Sequence, residues 1–253
     1  MEEKKENTFT SLFDDAKAVD IRGWDFSYVK ERMTSEPLPW DYRKIILPYV
    51  KKANCMLDMG TGGGEFLSSL DPLPKVTFAT EAYPPNIPIA KETLDGYNVK
   101  LVPVTQHEKL PLPDDFFDLI INRHEYYCPE EIYRILKPQG IFITQQVGRL
   151  NNIELNRFFG DVSYKDWEWD LKYASQQLKT NGFSILNSEE ATINEYFRDI
   201  GAVVFYLRII SWQIPNFNID ENIKKFKELH SIIQKDGLFK THAHRFLIIV
   251  KKE

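Results

Sequence analysis

An acidic residue followed by alternating glycines sets the first chemical expectation. The stretch from Cys55 to Phe66 reads CMLDMGTGGGEF, so a short apolar run reaches Asp58 and then breaks into Gly60, Gly62, Gly63 and Gly64. Without a Cβ, such a backbone takes positive φ and lets a ligand come close, and a helix beginning after it offers unpaired N–H groups. The spacing predicts strand, tight turn and helix, and with them a loop for a nucleotide cofactor. A second set is Asn122-Arg123-His124-Glu125, where an imidazole and a carboxylate can accept a proton. His242-x-His244 invites a metal reading, but no third ligand stands nearby in sequence, and no metal is expected. Cys128 adjoins a proline turn without an activating base and is not expected to be a nucleophile.

Alternating strands and helices must position these groups. The pattern predicts strands at 55–58, 76–80, 99–102, 117–122 and 141–145, with helices at 65–70, 86–94 and 129–136 between them. That alternation builds a parallel sheet with helices on both faces. The run FFDLIIN is apolar enough for a strand buried on both sides, and KPQG reads as a helix stop. Ahead of the sheet, a helix over 41–47 ends at Pro48. Beyond Val147 the chain turns long, aromatic and polar, which predicts a lid at the carboxyl edge of the sheet. A helix over 166–181, a strand at 183–187, a segment at 193–210 in which Ala202, Val203, Val204, Phe205, Leu207 and Ile209 are apolar nearly all round, a helix at 221–234 and a last strand at 246–250 complete the reading.

Composition narrows the function classes. With 253 residues, 43% hydrophobic and 13% aromatic, the chain has ample material for a core. A net charge of -5 without a Lys/Arg block disfavours nucleic acid as a partner. Two cysteines, one in a predicted buried strand, fit a reducing, cytoplasmic location without disulfides. No run reaches the roughly 18 apolar residues of a membrane helix, and the charged start MEEKKENTFT carries no export signal.

The glycine spacing separates two cofactors. A dinucleotide fingerprint G-x-G-x-x-G from Gly60 needs glycine where Glu65 stands, so a nicotinamide oxidoreductase is the weaker reading. Read as Asp58-x-Gly60-x-Gly62-x-Gly64, the loop resembles the first motif of the class I S-adenosylmethionine (SAM) dependent methyltransferases, of the type 11 kind. Glu81 at the end of the second core strand, QHEKLPLP before FFDLI, and ILKPQG before IFITQQ follow in that family's order across residues 50 to 147. Where many members carry Asp, this chain has Gln106, whose amide oxygen can still accept from adenine.

The resemblance implies a doubly wound, mostly parallel α/β sheet of seven strands, the class I methyltransferase fold, with a helical lid. It implies one methyltransferase domain over 1–253, with an N-terminal helical cap at 1–50, a cofactor core at 51–147 and a substrate-side region at 148–253. It places Gly60 and Gly62 against the methionine part of SAM with Asp58 orienting that end directly or through water, counts Gly64 among the cofactor-binding residues, and puts Glu81 at the ribose diol. Gln106 and His107 flank adenine, and Asn122 to His124 face the sulfonium. His124 is the first candidate for a general base and Glu125 the second, with a plain surface turn of ion pairs as the alternative. The expected activity is methyl transfer from SAM to a small-molecule acceptor. RNA or protein methylation, or SAM binding without catalysis, are the alternatives. Tyr126, Tyr127, Trp167, Trp169, Tyr206 and Trp212 are candidates for an aromatic acceptor wall.

Overall fold

A computed structural model gives the fold and describes residues 8–105, 109–161, 163 and 167–253. Contacts divide the chain into two compact units. One holds Met1–Pro37, Leu150–Trp167 and Thr192–His244, and the other Leu38–Arg149, Glu168–Ala191 and Arg245–Glu253. Two long strands, β7 (Phe183–Phe197) and β8 (Phe239–Lys252), pass from one unit into the other.

The larger unit carries the strand–helix alternation. Its strands are β2 (Cys55–Met59), β3 (Val76–Glu81), β4 (Val99–Pro103), β5 (Phe117–Arg123), β6 (Leu136–Val147) and the adjoining parts of β7 and β8, in the order β7-β8-β6-β5-β2-β3-β4. The pairs β2–β3, β2–β5, β3–β4 and β5–β6 are parallel, and β8 runs antiparallel to β6. Side chains alternate between faces along a strand, so neighbours in β2 and β5 enter different cores. Leu57, Met59 and Ile120 pack with helices α5 (Pro129–Ile135) and α7 (Leu171–Thr180). Met56, Leu119 and Ile121 pack with α2 (Tyr42–Val50), α3 (Glu65–Ser68) and α4 (Asn86–Thr93). Helices on both faces make the sheet doubly wound, as the alternation predicts.

Seven strands are expected, and the larger unit contains seven. The eighth, β1 (Met33–Ser35), is too short to show in the sequence and pairs antiparallel with the end of β7, Met33 opposite Phe197. The smaller unit has its own core, in which α8 (Ile200–Ile209) is buried on nearly every side. Asp199 caps that helix through the Ala202 N–H and forms a two-point ion pair with Arg32 at 2.6 and 2.7 Å. Around α8 lie α1 (Phe9–Ala18), α6 (Ile153–Phe159) and α9 (Ile223–Asp236). Arg208 donates to the Ala16 and Val19 carbonyls and so closes the end of α1.

Several boundaries move. Pro48 sits inside α2, which continues to Val50 and buries Tyr42, Ile46 and Val50 on one face. Pro48 lies in the last turn, where its ring costs the helix little further length. KPQG falls within β6, with Gln139 at φ +66°, because Leu136 already pairs with Phe117. β7 reaches Phe197 through a largely exposed polar run, whereas α7 begins only at Leu171, capped by Asp170. Among the described residues no helix is long and apolar enough to cross a membrane.

Candidate functional site

The site grows from the carboxyl ends of β2, β3 and β5. At the end of β2 the chain turns at Gly60, φ +74°, whose N–H and that of Thr61 both donate to the Thr80 carbonyl, at 3.1 and 2.9 Å. A Cβ on Gly60 would lie 2.4 Å from both Cβ and Cγ of Glu125, so the Glu125 side chain rests directly on the loop. One step on, the Gly62 N–H donates to Glu81 Oε2 at 2.7 Å, while the Tyr83 N–H donates to Oε1 at 2.7 Å. The carboxylate is therefore oriented by two loops at once. Gly64 opens α3, where a Cβ would meet Leu94 Cγ at 2.8 Å. That helix is a single turn, shorter than the sequence predicts.

Three acids converge here. Asp58 and Glu81 are buried, at 5% and 2% exposure. Desolvation pushes the Asp58 carboxyl up to about 6, with the Glu81 charge adding to it and Thr61 and Arg123 opposing. Glu81 is also raised, first by burial; backbone N–H donation from Tyr83 and Gly62 opposes this and the Glu125 charge reinforces it. Thr61 Oγ1 and Asn86 Nδ2 stand close enough to ease these charges, yet both are buried without a hydrogen bond of full geometry. A buried acidic group with unsatisfied polar atoms beside it suits a ligand that carries hydroxyls and positive charge.

Asp58 makes folding pH-dependent in a definite direction. Its folded-state pKa, about 6, lies above the ordinary 3.8, so its favourable contribution is full below 3.8 and is lost as pH rises through about 6. Asp58→Asn is expected to flatten this part of the stability–pH curve and to stabilise the ligand-free protein above pH 6. Chemical denaturation at a series of pH values reads it; a mutant curve parallel to the wild type would place the titration elsewhere.

At the end of β5 the predicted residues stand together, with different tasks. Asn122 is fully buried, and its Oδ1 accepts from the Thr144 hydroxyl at 2.8 Å and from Gln146 Nε2 at 2.6 Å, while its Nδ2 reaches the Met59 carbonyl at 3.4 Å. Its amide thus ties β5 to β2 and β6. His124 has φ +66°, held there by donation of its N–H to the Gln145 carbonyl at 2.8 Å and by Gln146 Nε2 against the Glu125 carbonyl at 3.0 Å. Its Nε2 lies 3.0 Å from Gln145 Nε2, and Gln145 Oε1 accepts from Trp40 Nε1 at 2.8 Å. Desolvation of the ring, then the charges of Arg245 and Arg123, push the His124 pKa below 6.5. The residue as a whole is exposed to solvent. Arg123 stacks its guanidinium on the Phe66 ring at 4.2 Å.

Gln145 and Gln146 adjoin the candidate site residues Asn122, His124 and Glu125 and are not expected from the sequence. The signal was available, since two adjacent amides at the end of an apolar strand must find partners on both faces of the sheet. Gln106 and His107 lie outside the described residues. Tyr127 and Trp169 pack in the core of the larger unit, Tyr206 in that of the smaller, and Tyr126 and Trp212 are exposed. In the smaller unit His242 Nδ1 pairs with Glu154 at 2.8 Å, while His244 Nδ1 accepts from the Leu150 N–H at 3.2 Å. Cys55 and Cys128 are buried free thiols.

Comparison with known proteins bears on the fold. Residues 57–144 match the model of a family described as methyltransferase domain. The matched stretch runs from β2 into β6, and the sheet with helices on both faces is the class I methyltransferase fold. Among curated proteins no sequence matches. A candidate methyltransferase from Bacillus halodurans superposes with a TM-score of 0.58 at 15% identity, covering 83% of this chain and 98% of that one. A SAM-dependent methyltransferase from Mesorhizobium loti gives 0.51 at 14%, covering 83% and 95%. A geranyl diphosphate methyltransferase solved with geranyl diphosphate and sinefungin gives 0.51 at 11%, covering 83% and 76%. At such identities the likeness carries the fold and not the acceptor.

Proposed function

We propose that the protein transfers the methyl group of SAM to a small-molecule acceptor. The observation that carries this reading is the clamp of Glu81 between the Gly62 and Tyr83 N–H groups, beside the buried Asp58. The residues fit the cofactor. One carboxylate fixed in orientation can accept from the vicinal ribose hydroxyls, and the raised acids Asp58 and Glu81 favour a cationic ligand. Bound SAM supplies an already activated methyl group, so no metal or covalent protein intermediate is needed.

The chain's own groups then bind, orient and exclude water. Asp58 orients the amino end, Gly60 and Gly62 let the backbone lie against the methionine part, and Gly64 keeps α3 close behind. Asn122 fixes the end of β5, from which His124 and Glu125 reach the transfer site. A small acceptor in a cytoplasmic setting suits a net charge of -5 and the lack of a basic block. Calorimetric titration with SAM and with S-adenosylhomocysteine is the direct test, and absence of binding by both at millimolar concentration would sink the reading. Salt-dependent binding of tRNA would instead favour a nucleic-acid acceptor.

A further inference from the structure

The His124 ring is the end of a hydrogen-bond chain whose polarity is settled at its other end. An indole Nε1–H can only donate, so the atom of Gln145 facing Trp40 at 2.8 Å must be its oxygen. A flipped amide would set two N–H groups against each other in a buried place, since Trp40 and Gln145 are 9% and 6% exposed. Gln145 therefore turns its NH2 toward His124 Nε2, 3.0 Å away, and that nitrogen must accept. A histidine that accepts at Nε2 is neutral and carries its proton on Nδ1.

We propose that Trp40 and Gln145 are positioning residues that hold His124 as the neutral Nδ1–H tautomer, so that it meets the methyl acceptor as a hydrogen-bond donor and not as a base. The functional half of this rests on the reading above, in which the end of β5 faces the transferred methyl. Its Nε2 lone pair is already engaged, and what the ring offers is one N–H. The acceptor it suits brings its attacking atom already deprotonated, such as a carboxylate or another oxyanion, to which that N–H can donate. The charged groups acting on the ring reinforce the neutral form: Arg123 from β5 itself and Arg245 from β8, both cationic, while β6 contributes the uncharged Gln145.

Nitrogen-15 NMR of the imidazole, recorded on the full chain without cofactor, tests the tautomer independently of SAM binding. The wild type is expected to show a single Nδ1–H tautomer that is still neutral at pH 6.5, the ordinary value for histidine. Gln145→Glu, which replaces the donor by a negative acceptor, is expected to move the proton to Nε2 and raise the His124 pKa by about 1 to 3. Trp40→Phe frees the amide to flip and is expected to give mixed tautomers; should it fail to fold, Gln145→Glu still decides. An Nε2–H or protonated ring in the wild type, or a Gln145→Glu ring unchanged from it, overturns the proposal. Tautomer as expected without SAM binding in the titration would leave the hydrogen-bond chain standing and remove the functional reading alone.

Discussion

Glu81→Ala is expected to weaken SAM binding by about 100-fold. A charge-assisted hydrogen bond contributes about 1.5–3 kcal/mol, and the diol makes two of them, so a loss of about 3 kcal/mol is the lower figure. The same substitution strips the Gly62 and Tyr83 N–H groups of their acceptor, so the midpoint of thermal unfolding falls as well. Glu81→Gln separates the two effects. Its single amide oxygen can serve one of the two N–H groups while its NH2 opposes the other, and an intermediate loss of both affinity and stability is expected. Titration calorimetry together with thermal scans reads both quantities, and an affinity unchanged in Glu81→Ala moves the ribose contact elsewhere.

The second large effect belongs to Gly60. Alanine there must hold φ +74°, which costs about 1–2 kcal/mol for a residue with a Cβ. It must also displace Glu125, whose Cβ would be 2.4 Å away. Gly60→Ala is expected to lower stability by more than the backbone term alone and to abolish measurable SAM binding. Glu125→Gly removes the colliding atoms and leaves the backbone strain. In the double variant, stability should recover in part and non-additively, because the two sites touch. Strict additivity in a denaturation cycle would mean that the contact between Gly60 and Glu125 is not what limits the loop.

How far these features are legible in the sequence depends on how local their cause is. Cys55 to Gly64 announces itself, because an apolar run, an acid and spaced glycines constrain the backbone within one turn. The strand and helix alternation from β2 to α5 is legible for the same reason. β7 is not: SEEATINEY carries no apolar face, and its extension to Phe197 comes from tertiary pairing with β1. KPQG misleads because its proline and glycine look like a helix stop, while the left-handed residue is Gln139. The division of the chain into two units is equally hidden, since each unit is assembled from three separate segments. At the site, His124 could be named from its place after a strand. The glutamines that fix its ring and backbone lie about 20 residues downstream, and only register brings Gln145 beside Arg123.

The Glu81 clamp also says when the loop becomes ordered. Gly62 and Tyr83 are tied to the carboxylate within the polypeptide itself, so the conformational entropy of the glycine turn is surrendered in folding. A cofactor bound as proposed meets a turn already ordered by these two bonds, which lowers the entropic cost of organising that part of the chain. Under the proposed function, any flexibility needed for exchange of product and substrate resides in segments other than this loop.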